Sequence, residues 1–387
     1  MEIYMIPFNK HTITQLEKDF VMQSLDSDKI CGDGNFTKKI NELVNQKFGI
    51  KNFLLTTSCS ASLDLSAILL NLKPGDEVIM PSFTFVSTAN AVVLRGAKPI
   101  FCDIRKDNLN IDETKIESLI TKKTKAIYVV HYAGQVCEMD KIMQIAKKHK
   151  LYVVEDAAQA IGSKYKGKYA GTIGDIGCYS FHDTKNYTAG EGGAIIINNE
   201  SFLSRAEIIR EKGTNRSQFL RGEVDKYTWQ DVGSSFLPSD LLSALLYAQL
   251  TRFDEIFNRR CTIWNKYYEN LLDLEKQGKI ILQPNTLNNV DKNTFSNAHI
   301  FYFLLKSEDE RNALLKFLKQ HGVQATSHFE PLHTSPMYAR LINPASLPKL
   351  TNTDNCAKQM IRLPMFFDLK DDAIIYITNL IKEFFNK

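Results

Sequence analysis

Five short, β-branched apolar runs constrain this chain most: FLLTT (53–57), EVIMP (77–81), PIFCDI (99–104), AIYVVHY (126–132) and LYVVEDAA (151–158). Between them lie stretches such as SASLDLSAILLNL and MDKIMQIAKKHK, whose apolar residues recur at helical spacing. The alternation is that of βαβ units. Strands so uniformly apolar belong in a sheet covered by helices on both faces, so an α/β wound core is expected.

After GCYSFH and GAIIIN the texture changes. SDLLSALLYAQLTRFDEIFNRRCTIWNKYYENLLDLEKQ reads as one long helix with Pro238 near its start, and the tail adds AHIFYFLLK, RNALLKFLKQHG and DDAIIYITNLIKEFF. A domain boundary is expected inside that helix. Residues 1–255, with the N-terminal segment, form a large α/β domain, and 256–387 a smaller α+β domain. At 387 residues and 44% hydrophobic composition the chain can fill both cores. PNTLNNVDKNTFSN (284–297) reads as a polar surface loop.

Composition excludes several classes of function. A formal charge of +4, dispersed and without basic runs interleaved with aromatics, gives no footprint for nucleic acid. Seven widely spaced cysteines without a C-x-x-C indicate neither a disulfide framework nor a zinc site. His131, His182, His328 and His333 lack metal-ligand spacing, so no metal is expected. The N-terminus has no apolar signal core and no run approaches about 18 apolar residues, so a cytoplasmic protein without a membrane span is expected.

Candidate chemistry lies at strand ends. YVVEDAAQA puts Glu155 and Asp156 at the carboxyl end of an apolar strand, where open α/β sheets bind ligands. Alone, Asp156 also reads as a helix N-cap, and Lys185, in SFHDTKNYTAGEGG, as a snorkelling surface lysine. Together they differ in meaning. A carboxylate able to face a pyridinium nitrogen, with an amine able to reach an aldehyde, is the minimum set for pyridoxal 5'-phosphate. GEGG (190–193) lacks the Lys-Ser/Thr of a phosphate loop and reads as a tight hairpin returning AIIIN beside Lys185.

Asp156-x-x-Gln159, SFHDTKNYTAGEGGA, GDEVIMPSFTFVSTANAV (75–92) and TSCSASLDL (57–65) resemble the DegT/DnrJ/EryC1/StrS sugar-nucleotide aminotransferases over essentially the whole chain. The resemblance implies fold type I of the pyridoxal phosphate enzymes, the aspartate aminotransferase-like fold. CGDGNFT, HYAGQVCEMD and EIIREKGTNRSQFLRGEVDKYTWQDVGSSFLPSD resemble the enterobacterial-common-antigen branch, the dTDP-4-amino-4,6-dideoxygalactose transaminases.

Carried onto this chain, the family pattern implies that Lys185 holds the cofactor aldehyde as a Schiff base and then, freed, acts as the proton-transferring base. Asp156 would keep the ring nitrogen protonated, Gln159 approach the phenolate side, and Phe85 stack on the ring face, although by periodicity Phe85 reads first as a core residue. Cys59 and Ser60, opening a helix, and Ser180 would meet the phosphate. Many relatives carry Gly and Thr where this chain has Cys59 and Ser60. Ser235 stands where many carry an asparagine that reaches the phosphate of the neighbouring subunit. The resemblance thus implies a homodimer with its active site at the subunit interface.

The implied reaction transfers an amino group from L-glutamate to a nucleotide-linked 4-keto sugar. Its product would be dTDP-4-amino-4,6-dideoxygalactose, with the gluco epimer or a 3-amino sugar as alternatives. His328 and His333, in SHFEPLH, would lie on the substrate side or be structural. Arg216, Arg221, Lys226, Tyr227 and Trp229 would serve the nucleotide diphosphate, a dimer contact, or only a solvated loop. Two other classes are a pyridoxal-type sugar dehydratase, whose members carry histidine where Lys185 stands, and a non-catalytic pyridoxal phosphate sensor.

Overall fold

Strands and helices alternate through the first half of the chain, as the apolar periodicity requires. The computed structural model describes residues 5–287, 293–342 and 347–386; residues 288–292 of the loop expected over 284–297 lie outside the described residues. The strands are β1 (Phe53–Thr56), β2 (Glu77–Pro81), β3 (Lys98–Cys102), β4 (Thr124–Val130), β5 (Tyr152–Asp156), β6 (Lys164–Tyr165), β7 (Lys168–Tyr169), β8 (Ile176–Ser180), β9 (Gly193–Ile197), β10 (Ile281–Leu282), β11 (Tyr302–Leu304) and β12 (Met360–Arg362).

Seven of them form one sheet in the order β1-β9-β8-β5-β4-β2-β3. β3, β2, β4, β5 and β8 run parallel, and only β9 is reversed, pairing antiparallel with β8 and β1. Alternate side chains face opposite helical layers. Val78 and Met80 pack with Leu63 and Leu65 of the Cys59–Leu69 helix, whereas Ile79, Val129 and Val153 pack with Met139 and Ile142 of the Met139–His149 helix. Both faces are covered, which is why these strands read as apolar without interruption.

GEGG makes the reversal. Asp183 N–H bonds to the Gly190 carbonyl and Phe181 N–H to the Gly192 carbonyl, both at 2.8 Å, with Gly190 at φ 77. Gly193 of β9 then stands opposite Ser180 of β8.

The expected single helix after Pro238 is two, Asp240–Thr251 and Phe253–Lys276. The break is at Arg252, where the backbone leaves the helical region (ψ 18). Glu17, fully buried in the Gln15–Leu25 helix, draws in Gln249 Nε2 at 2.7 Å, just before the break, and Arg252 Nη1 at 3.3 Å, at the break itself. Phe253 and Ile256, at the start of the second helix, pack with Tyr187 and Leu246 of the main sheet's layers. Further along it, Ile263, Trp264, Tyr267 and Leu271 enter a separate core with Phe301 and Phe303 around β10-β11-β12. Ile6 joins this second core and bridges to Val323.

Candidate active site

A cavity of about 480 Å³ opens where the carboxyl ends of β5 and β8 face β12 and the turn before β11. That volume lies within the usual range for small-molecule sites, roughly 300–1,000 Å³.

One end of the cavity is built for an anion. Ser58 caps the Cys59–Leu69 helix, its Oγ accepting from Ala61 N–H at 3.0 Å. Cys59 and Ser60, the first two helical residues, line the cavity, at the positive end of the helix where N–H groups lack intrahelical partners. Ser60 Oγ lies 2.6 Å from Ser87 Oγ, and the buried Ser180 completes the hydroxyls here. The helix can sit so low only because β9 begins with glycine: a Cβ on Gly193 would lie 2.3 Å from the Ser58 carbonyl carbon and 2.4 Å from Cys59 N. Burial pushes the Cys59 thiol well above its ordinary pKa, so it stays neutral and brings no negative charge beside an anion.

Deeper in, Asp156 is 5% exposed. Burial raises its pKa, against two hydrogen bonds that favour the carboxylate: Thr88 Oγ1 donates to Oδ2 at 2.7 Å and Ala158 N–H to Oδ1 at 3.2 Å. The latter closes a turn, not a helix, so the N-cap reading does not hold. Lys185 is partly buried in the same cavity, not snorkelling into solvent, and among the described residues no group hydrogen-bonds or ion-pairs with its Nζ. Burial lowers its pKa, opposed by Cys59 and Asp156 and assisted by the charge of Arg362. Glu155, next to Asp156, has a different duty. Its fully buried carboxylate accepts from His131 Nε2 (2.8 Å) and from the N–H groups of Gly171, Ile173 and Gly174 (2.6–2.8 Å) and so pins the loop before β8.

The remaining candidates separate. Gln159 lines the cavity with its Oε1 bound to Ala133 N–H at 2.7 Å. Phe85 is 57% exposed at the rim, so the core reading of it fails. His328 lines the opposite wall, its Nδ1 2.7 Å from Tyr132 Oη. His333, Ser235, Arg216 and Tyr227 lie outside the cavity, as do Arg221, Lys226 and Trp229. His333 is buried between Ser82 Oγ (2.8 Å from Nδ1) and Asp354 (3.3 Å from Nε2). Ser235 is exposed, Arg216 pairs with Glu211 at 3.3 Å, and Tyr227 packs on Phe219.

Sequence reasoning missed Thr88, Ser87, His299 and Arg362, all within or against the cavity. Arg362 left one signal, a lone charge in the apolar run MIRLPM. Its guanidinium stacks over Phe8 at 4.7 Å, its buried Nε has no hydrogen bond, and among the described residues no carboxylate pairs with it.

A carboxylate for a ring nitrogen, an amine with depressed basicity and a hydroxyl-rich helix start fit the donor set that pyridoxal phosphate requires. Among the described residues no group of three or more His, Cys, Asp and Glu could hold a metal ion, and no helix is long and apolar enough to cross a membrane.

The profile of the DegT/DnrJ/EryC1/StrS aminotransferase family matches residues 11–382. The chain belongs to this family. Its relatives include the GDP-perosamine synthases of Escherichia coli O157:H7, 31% identical over 98% of this chain and 99% of that protein, and of Caulobacter vibrioides, 32% identical over 92% of each. Among solved structures, the candidate sugar aminotransferase Spr1654 of Streptococcus pneumoniae in its PLP form superposes with a TM-score of 0.88 at 26% identity, covering 98% of both chains. The fold is that of the PLP-dependent sugar aminotransferases, as expected. These two sequence relatives are named for a GDP-sugar product, whereas the branch resemblance implied a dTDP-sugar.

Proposed function

We propose that this sugar aminotransferase transfers the amino group of L-glutamate to the ketone of a nucleotide-linked 4-keto-6-deoxyhexose. The observation that carries this reading is the convergence of Asp156 and Lys185 on one cavity beside the start of the Cys59–Leu69 helix. The cofactor is pyridoxal phosphate, which supplies an electron sink for the substrate carbon and a carrier for the nitrogen.

Ser60, Ser180 and the helix start would hold its phosphate, with Phe85 and Gln159, which line the same cavity, placed to contact its ring. Asp156 holds a proton on the ring nitrogen, and that charge partner offsets the burial that raises its own pKa. Lys185 Nζ takes the proton from the donor's α-carbon and returns one to the sugar carbon. Its lowered pKa leaves the neutral amine accessible, and such positioned proton transfer contributes about 10²–10⁴-fold. Arg362, on the opposite wall and without a carboxylate partner among the described residues, receives a donor carboxylate.

For the nucleotide, the named relatives favour GDP, and the branch segments favour dTDP with 4-amino-4,6-dideoxygalactose as product. We take GDP first, because the relatives align over nearly the whole chain and the segments are short. The site is read as part of a homodimer. Phe219, Leu220, Tyr227, Trp229 and Val232 are exposed apolar residues of one segment, Trp229 at 80%, and Ser235, just after them, is exposed and outside the cavity of its own chain. Incubation with glutamate and GDP- or dTDP-linked 3-keto and 4-keto sugars, with the product assigned by NMR, tests the proposal. A small H3–H4 coupling marks an axial C4 amine and a large one an equatorial amine. Absence of an amino sugar from every acceptor refutes the function.

A further inference from the structure

His299 lines the cavity from the turn before β11 and has no part in the steps above. Its tautomer follows from its neighbours. Asn186, the residue after Lys185, donates from Nδ2 to the Asn297 carbonyl at 3.0 Å, which fixes the amide's orientation. Asn186 Oδ1 therefore faces His299 Nδ1, at 2.8 Å, as an acceptor. Only a proton on Nδ1 satisfies that contact, so in the neutral ring Nε2 carries a bare lone pair. No hydrogen bond reaches Nε2 among the described residues.

The ring is also held in place and in charge state. Arg260, buried without a carboxylate partner among the described residues, donates to the carbonyls of His299 and Ala298, fixing the turn in which Ala298 adopts φ 51. Burial, with the charges of Lys185, Arg260 and Arg362 and the neighbouring His328, keeps the imidazole pKa well below its ordinary value. The wall thus presents a neutral acceptor. Lys185 and Arg362 present donors, and Gln159 Oε1 is already engaged with Ala133 N–H. Ionised carboxylates and phosphate diesters have no hydrogen to give such an acceptor, and the amino donor's only N–H group is the amine that reacts at the cofactor. A sugar hydroxyl has a hydrogen to give.

We propose that His299 Nε2 accepts a hydrogen bond from a ring hydroxyl of the bound sugar nucleotide, and so selects the sugar substrate over the amino donor within the shared cavity. This rests on the proposed transamination of a nucleotide sugar.

The holoenzyme's two half-reactions, followed separately by stopped-flow absorbance, test it. His299→Phe, which removes the acceptor, should lower kcat/KM for the sugar half-reaction by roughly tenfold or more, from the loss of one buried hydrogen bond. The glutamate half-reaction should stay within about twofold. A sugar analogue lacking the hydroxyl that is read should react equally with wild type and variant. His299→Gln, which retains an acceptor, should recover part of the loss. Should His299→Phe fail to fold, Asn186→Ser frees the tautomer and is expected to show the same, smaller, one-sided defect. Nitrogen-15 NMR of the wild-type holoenzyme supplies an independent reading, a neutral ring protonated at Nδ1 across about pH 6–8. Equal loss in both half-reactions, or a ring protonated at Nε2, overturns the proposal. Wild type inert toward every nucleotide sugar sinks the transamination reading, and this inference with it; active wild type with an unimpaired His299→Phe sinks this inference alone.

Discussion

Thr88 Oγ1 donates its hydrogen to Asp156 Oδ2 at 2.7 Å, and its own oxygen lies 2.9 Å from Thr84 Oγ1. Because the single Thr88 proton goes to the carboxylate, Thr84 must be the donor of the second bond. A two-hydroxyl relay therefore steadies the carboxylate that, in the proposed function, faces the cofactor ring. Thr88→Val removes the bond at nearly constant volume. Hydrogen bonds to charged groups contribute about 1.5–3 kcal/mol, so the affinity for cofactor should fall by roughly tenfold or more, read by absorbance titration of the cofactor-free protein. Unchanged affinity would show that Asp156 needs no such support.

Lys185→Ala tests the base. The variant should keep the amine form of the cofactor through Ser60, Ser180 and Asp156, yet lose at least about 10⁴-fold in turnover, the upper end for a positioned proton-transfer group. Multiple turnovers at the wild-type rate would remove Lys185 from the chemistry.

Asp156 also leaves a signature in stability. Burial raises its carboxyl pKa in the folded chain above the unfolded value. Such a group contributes stability that is fully present below the unfolded pKa and is lost as pH rises through the folded one. Without cofactor, at about pH 7.5, the buried carboxylate is thus a cost. Cofactor-free Asp156→Asn should melt at a higher temperature than wild type there, with the gap closing toward about pH 4. Adding cofactor should reverse the order, because only the carboxylate gains a charge partner. A gap independent of pH and cofactor would assign the difference to packing alone.

Arg362→Gln should raise KM for glutamate about tenfold or more, the loss of a charge-assisted pair, while KM for the nucleotide sugar moves less than about threefold. Equal effects on both substrates would make Arg362 a general wall residue.

Asp156 and Lys185 were legible because each is embedded in a contiguous pattern, an apolar strand ending in ED and a strand end running into GEGG. The sheet's strands were legible for the same reason, since burial on both faces leaves uninterrupted apolar runs. Arg362 and His299 were not. They come from β12 and from the turn before β11, and no local pattern records that this second core packs against the carboxyl ends of β5 and β8. Thr88 was hidden too, for a threonine in a short apolar helix carries no mark of the carboxylate it meets. The break at Arg252 was missed because Glu17, which engages Arg252 and the Gln249 before it, lies at the other end of the domain's chain.

Gly193 provides the last test, because it joins the hairpin to the anion end of the cavity. Its missing Cβ is what lets β9 pass the Ser58–Cys59 peptide, with backbone atoms 2.3–2.5 Å from where a methyl group would stand. Backbone cannot rotate away as a side chain can, so Gly193→Ala must displace either β9 or the helix start. The displacement is expected to cost about 1–3 kcal/mol of stability, as for other overpacked sites. It should also weaken cofactor binding, since the N–H groups at Cys59 and Ser60 move with the helix. Gly278→Ala is the control: that residue has φ 66 but open space around it, far from the cavity, and should lose about 1 kcal/mol with cofactor affinity intact. If both variants lose stability and neither loses cofactor affinity, the helix start does not hold the phosphate. If Gly193→Ala alone loses affinity, the glycine after GEG is there to let an anion site form.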